Sequence, residues 1–353
     1  MDIQELPTPT LLVVLVFLQA NLEKIGSFFR SSSARLRPHF KNHRVLVLAD
    51  RQLAIGARGI TCARLWQAEL LVKHGIHDVL IANEIAGRSQ IQRFIELSRQ
   101  APVIVAVDSS EVVGQMAAAA GPERGKLNVV VDIDIGLNRC GVADCRAALA
   151  LARKVVASGL RFRGIMGYEG HLQKLVPGPE KERIVKDAIQ KLAQSKKCIE
   201  DAKIPVEIVS CGGTGDYSIV ATVPEVTEVQ AGSFMLMDAG YQPIVTDFHP
   251  TLTVLCTVLS KTPGERIVVD AGVKSISAER GAPSLVGFPG LRVKAVHAEH
   301  TVIEVLDAQA SFKLGEKLQL CVQYHDGTIQ LHRQMFGVRD GVVVEPLRIE
   351  HGV

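Results

Sequence analysis

Aromatic side chains are scarce in this chain: 5% of 353 residues, with one Trp and four Tyr. Lysines and arginines (40) barely exceed aspartates and glutamates (37), leaving a formal charge of +3 with no recurring basic block. Stacking platforms and a basic footprint are therefore both missing, which excludes a nucleic-acid partner. No apolar run approaches the ~20 residues that span a bilayer. The strongest, "LLVVLVF" from Leu11 to Phe17, follows Asp2 and Glu5 rather than basic residues and lacks a small-residue cleavage site. It reads as a buried strand, with no membrane partner. The seven cysteines form an odd set without a CxxC, which fits reduced thiols in a cytoplasmic protein better than disulfides or a zinc site.

What is present is globular usage, 47% hydrophobic and 22% charged, over a length that predicts two domains. After an opening helix with Leu22, Ile25, Phe28 and Phe29 on one face, short apolar runs alternate with helical patterns. The runs are "RLRPHF", "GITCA", "DVLIAN", "PVIVAVD", "NVVVDIDIG", "RFRGIMGYEG", "VEIVSCGG" and "VTEVQAG". Eight continuous apolar strands separated by helices predict an α/β fold, a parallel (β/α)₈ TIM barrel. The last hundred residues alternate apolar and polar positions with no helical period, including "KLQLCVQYH" and the stretch from Thr328, and predict an all-β domain. The expected division is a barrel over residues 20–248 and a β-domain formed by 1–19 with 249–353.

Barrel catalysis sits at the C-terminal ends of strands. Lys41, in "LRPHFKNHR", follows the first strand. Cationic neighbours favour its free amine, although the same stretch taken alone also reads as a solvated turn. Arg139 follows the fifth strand, Tyr168 and His171 the sixth, "CGGTG" from Cys211 the seventh and "QAGS" from Gln230 the eighth. Glycine-rich ends on the last two strands predict a phosphate cradle. A reactive lysine opposite such a cradle points to pyridoxal 5′-phosphate (PLP) held as a Schiff base.

The motifs "LPTPTLLV", "LRPHFKNHR", "GITCA", "LIANE", "NRCGV", "GYEGH", "CGGTGDY", "TEVQAGSF" and "VVDAGVKSIS" follow one another as they do in the D-threonine aldolase and D-serine dehydratase family. The chain resembles that family over nearly its whole length. The resemblance implies the alanine-racemase-like fold, a PLP-binding barrel followed by a β-domain, and a homodimer whose sites the partner's β-domain completes. It implies a lyase acting on an amino-acid substrate, a D-configured β-hydroxy amino acid, by retro-aldol cleavage or by dehydration. Lys41 would carry PLP and serve as base at the substrate Cα. Arg139 would lie at the ring's O3′ region and Tyr168 at the pyridine nitrogen, while Gly213, Thr214, Gly232 and Ser233 would bind the phosphate. His39 and His43 flank the lysine, to tune it, to relay protons or to hold a backbone carbonyl.

Lyases of this family bind a divalent metal through a histidine and, two residues on, an aspartate or cysteine. This chain has Tyr324-His325-Asp326 there. On a strand Tyr324 and Asp326 share a face, and His325 points away unless a bulge re-aims it. One expectation is manganese or magnesium held by Asp326 with a re-aimed His325. The alternative is a metal-independent racemase or epimerase using Lys41 and Tyr324 as two bases. Asp270 and Lys274 are read as an ion pair or as lining the mouth, and Cys140 and Cys211 as small buried hydrophobes.

Overall fold

The structure is a computed structural model that describes residues 1–262, 265–307 and 310–352. Positions 263, 264, 308, 309 and 353 of the expected β-domain lie outside the described residues. The chain forms two compact units. One comprises Met1–Lys24, Asn42–Val47 and Phe234–His351; the other comprises Ile25–Lys41, Leu48–Ser233 and the chain end from Gly352.

The chain opens with β1 (Thr10–Val14), α1 (Leu15–Arg30), β2 (Arg35–Leu36), α2 (Leu46–Ala54), β3 (Ile60–Cys62) and α3 (Leu65–Lys73). Next come β4 (Val79–Glu84), α4 (Arg88–Gln100), β5 (Ile104–Val107), α5 (Ser110–Ala120), β6 (Asn128–Asp132) and α6 (Cys145–Ala157). β7 (Arg161–Met166), α7 (Pro179–Asp201), β8 (Ile208–Cys211), α8 (Tyr217–Val220) and β9 (Glu228–Val229) complete the alternation. The run expected to be one strand from Leu11 to Phe17 is shorter: pairing ends at Val14, and α1 takes over at Leu15. Leu15, Leu18, Leu22 and Ile25 are buried at helical spacing while Val16 and Phe17 are exposed. An unbroken apolar run cannot by itself reveal that change of period.

Strands β2 to β9 make an eight-stranded parallel sheet in the order β2-β9-β8-β7-β6-β5-β4-β3. An isolated parallel bridge, His39 to Thr61, joins its two ends, supported by Arg58 N–H donating to the Leu36 carbonyl. The ring is thus closed, as eight βα repeats predict. Leu80, Ile104, Ala106, Val130, Met166 and Ile208 form one buried cluster of strand residues. Gly164 in β7 is required by close strand approach, since a Cβ there would lie 2.0 Å from the Ile208 carbonyl oxygen. Asp144 starts α6 by accepting from the Arg146 and Ala147 amides, each at 2.9 Å, as an N-cap aspartate does.

The other unit contains β10 (Leu252–Thr262), β11 (Arg266–Val269), β12 (Ser284–Leu285), β13 (Leu291–Val296), β14 (Thr301–Val305), β15 (Lys317–Cys321), α9 (His325–Gln330), β16 (Gln334–Arg339) and β17 (Val342–Arg348). Its sheet runs β13-β14-β11-β10-β1-β16-β17, so the N-terminal strand sits inside it, antiparallel to β10 and parallel to β16. Leu6, Leu12, Leu255 and Val338 cluster beneath. The expectation of strand up to His325 and again from Thr328 is corrected: His325–Gln330 is the helix α9, where Thr328 N–H and hydroxyl both return to the Tyr324 carbonyl. Lys274 pairs with Glu299 at 2.6 Å rather than with Asp270, whose carboxylate accepts from Thr8 and from the Thr257 amide.

Candidate active site

In a parallel barrel all strand ends of one sense lie on one rim, so Lys41, Arg139, Tyr168, the 212–215 turn and Gly232–Ser233 are carried to the same end by topology. Lys41 sits in a single 3₁₀ turn, Phe40–Asn42, directly after β2. Its Nζ lies 6.0 Å from the centroid of the Tyr168 ring, and the Arg139 guanidinium carbon lies 5.7 Å from the same ring. Both side chains therefore approach the same phenol ring. Tyr168 is held by its own turn, because a Cβ on Gly170 would fall 2.5 Å from the ring's Cε1. His39, half-buried, offers Nδ1 to the Lys41 amide at 3.4 Å.

A Cβ on Gly232 would meet the His39 carbonyl oxygen at 2.9 Å, and one on Gly213 would meet Gln173 Oε1 at 2.4 Å. Both positions need glycine for space. The Gly213 amide, however, donates to Asp216 Oδ1 at 2.9 Å and the Gly215 amide to Gln173 Oε1 at 2.9 Å, so neither is directed outward. Thr214, between them, is buried.

Beside Arg139 the rim is acidic. Burial first, then Glu84, pushes the Asp132 carboxyl up to about 8, while Arg139 pulls it down. Glu84, Asp108 and Cys140 bring three donor atoms within 4.8 Å of one another. Cys140 is half-exposed rather than the buried hydrophobe expected from sequence, and burial with a hydrogen bond to Glu84 pushes its thiol up to about 11. Cys211 is fully buried.

The remaining sequence-predicted residues belong to the other unit. His43 is fully buried and its Nδ1 accepts from the Val45 amide at 3.0 Å, which leaves the proton of the neutral ring on Nε2. His325 Nδ1 and the Asp238 carboxylate are 2.5 Å apart, and the Asn42 amide meets His325 Nε2. Asp326 Oδ1 accepts from the same Asn42 amide at 2.5 Å and lies 3.2 Å from His325 Nε2. Because α9 is helical, Tyr324 and Asp326 do not share a strand face. It is the helix, not a bulge, that brings His325 beside Asp326. Tyr324 lies under the Arg280 guanidinium, 3.9 Å from ring centroid to Cζ, and burial followed by Asp326 raises its phenol above the ordinary range.

Sequence reasoning assigned no role to Asn42, Asp238, Glu169, Gln173, Lys181 or Asp216. Glu169 and Asp216 lie inside the motifs "GYEGH" and "CGGTGDY", but nothing in those strings reveals that both are buried. Asp238 and Asn42 are far apart in sequence from the histidine they meet.

Residues 14–240 match the alanine racemase N-terminal domain family, and residues 251–338 a putative serine dehydratase domain. The chain is 35% identical to D-threonine aldolase of Arthrobacter sp, covering 95% of this chain and 90% of that one. The crystal structure of D-threonine aldolase from Filomicrobium marinum superposes with a TM-score of 0.95 at 31% identity, covering 99% and 96%. D-threo-3-hydroxyaspartate dehydratase from Delftia sp. HT23 superposes with a TM-score of 0.92 at 25% identity, covering 100% of each chain.

Proposed function

The chain belongs to the D-threonine aldolase and D-serine dehydratase family, and from that membership we propose that it is a PLP-dependent lyase that cleaves D-configured β-hydroxy amino acids to an aldehyde and a shorter amino acid. The observation that carries this is the Tyr168 ring shared by the Lys41 amine and the Arg139 guanidinium at the barrel rim. The residues present fit PLP: a strand-end lysine and an arginine beside one aromatic ring, with the glycine-rich turn 212–215 and Gly232–Ser233 at the same end of the barrel. Lys41, Arg139, Tyr168 and His39 would hold the ring. Thr214, Gly232 and Ser233 would hold the phosphate, Gly213 contributing its missing side chain rather than its amide. Bound there, PLP supplies an electron sink for charge developing at the substrate Cα.

In cleavage Lys41 Nζ would accept the β-hydroxyl proton and deliver a proton to Cα in place of its broken bond to Cβ. His43, with its proton on Nε2, can only donate from that atom when neutral. Tyr168 presents a phenol rather than a carboxylate, which leaves the sink moderate and the reaction confined to bonds already aligned.

The donor set at 324–326 fits a metal poorly. His325 Nε2 and Asp326 Oδ1 are both engaged by the Asn42 amide, and the neighbouring aromatic is already covered by a guanidinium. No step is therefore assigned to a metal. This favours cleavage over elimination: breaking Cα–Cβ requires only that the β-hydroxyl lose its proton, whereas elimination needs that oxygen to leave, which a Lewis acid would assist. The racemase reading is disfavoured by the Tyr324 phenol, whose raised pKa makes it a reluctant base near neutrality. We take the active form as a homodimer, on the family resemblance, to be read by light scattering.

The test screens D- and L-β-hydroxy amino acids with and without chelator, following aldehyde, keto acid and solvent deuterium at Cα. Aldehyde from D-configured substrates, unaffected by chelator, is expected. Borohydride should fix the cofactor on Lys41 and on nothing in Lys41→Ala. Keto acid as sole product would replace cleavage by dehydration, and exchange without cleavage would establish the racemase.

A further inference from the structure

A closed set of buried side chains holds the Gly212–Gly215 turn. Glu169, Gln173, Lys181 and Asp216 are each 3% exposed or less. Asp216 accepts from the Gly213 amide through Oδ1 at 2.9 Å and from Gln173 Nε2 through Oδ2 at 2.5 Å. Gln173 returns its Oε1 to the Gly215 amide at 2.9 Å. Lys181 Nζ donates to the carbonyls of Gly215 at 2.7 Å, Leu175 at 3.1 Å and Gln173 at 3.2 Å. The fit is tight, since a Cβ on Gly215 would lie 2.1 Å from the Gln173 carbonyl oxygen. The turn's shape is therefore set by side chains that a bound phosphate would not touch.

Glu169 completes the set. Both of its oxygens are buried without a hydrogen bond of good geometry, only the Gly212 amide and its own amide lying near enough to favour the charge. Burial, then the neighbouring Asp216 carboxylate, holds the Glu169 carboxyl well above the usual carboxylate range. A proton on Glu169 supplies the missing donor. The charges then balance, Lys181 against Asp216 with Glu169 neutral. An ionised Glu169 would instead leave a net negative charge beneath a turn that is to receive a phosphate dianion.

We propose that Glu169 and Asp216 act together as positioning residues, Glu169 as hydrogen donor and Asp216 as acceptor, that hold the 212–215 turn in the shape which receives a phosphate monoester. The inference rests on the PLP reading above. Because Tyr168 precedes Glu169 directly, the same pair ties the phosphate turn to the residue facing Lys41.

The full-length protein is tested by comparing dissociation constants for PLP and for pyridoxal, which lacks the phosphate, by equilibrium dialysis. Glu169→Leu removes the donor and Glu169→Gln keeps one. The preference of the wild type for PLP should fall about tenfold or more in Glu169→Leu, with affinity for pyridoxal unchanged. Glu169→Gln should stay within about threefold of wild type. If Glu169→Leu does not fold, as judged by circular dichroism, the isosteric Asp216→Asn carries the comparison with the same expected loss. Glu169→Gln falling as far as Glu169→Leu, or a preference untouched in either Glu169→Leu or Asp216→Asn, overturns the proposal. A wild type without any preference for PLP overturns the cofactor reading itself, and the two failures are told apart by the wild-type ratio alone.

Discussion

Arg37 is fully buried where β2 leaves the barrel toward Lys41, and it bridges the ring's closure. Its Nε and Nη2 reach the two oxygens of Glu228 at 2.7 and 2.8 Å, while Nη1 reaches Asp78 Oδ1 at 2.7 Å. Burial opposes the guanidinium charge, but Glu228 and Asp78 outweigh it and the pKa rises. Arg37→Met would leave Glu228, also fully buried, with Arg58 Nε at 3.2 Å as its remaining cation. Removing one partner of a buried pair costs about 3–5 kcal/mol, and the surviving Arg58 contact argues for about 3. At about 2–4 °C per kcal/mol for a unit of this size, the melting temperature should drop by about 6–12 °C. Adding Glu228→Gln removes the stranded charge and should recover part of that loss. Because β2 runs into the Lys41 turn and β9 into Gly232, borohydride fixation of PLP should weaken in parallel. Thermal unfolding by circular dichroism reads the stability. A single variant that melts within about 2 °C of wild type, an amount under 1 kcal/mol, would refute the reasoning.

Gly232→Ala places a Cβ against the His39 backbone at 2.9 Å, which must shift the segment leading to Lys41. PLP affinity should fall about tenfold, consistent with an overpacking cost of about 1–3 kcal/mol, read by dialysis. Asp132→Asn tests the rim acids. With the folded carboxyl at about 8, the folded state keeps a proton that the unfolded chain has shed once pH passes about 4. Stability therefore falls as pH rises through that window, by up to about 1.4 kcal/mol per unit, and the asparagine variant should flatten the profile in thermal melts.

Much of the architecture is legible in the residues. Apolar runs separated by helical patterns indicate a parallel sheet covered on both faces, and their number, eight, argues for a closed barrel. The N-terminal run "LPTPTLLV" precedes the first barrel helix and so was assignable to the β-sheet, where β1 lies between β10 and β16. Lys41 and the glycine-rich turns are legible because position at a strand end is a consequence of chain order. The helix α9 is not legible: Gly327 argues against helix and the β-branched Thr328 and Ile329 argue for strand, yet burial of His325 against Asp238 overrides propensity.

The sequence by itself determined the fold, the placement of Lys41 at a strand end and the family, because periodicity and strand-end motifs are local properties that survive without coordinates. Only the tertiary structure decided where the polar atoms point. It turned the Gly213 and Gly215 amides toward Asp216 and Gln173, set Arg280 over Tyr324, and buried Glu169 beside Asp216. Hydrogen-bond direction and burial depend on partners distant in the chain, and no spacing rule encodes them.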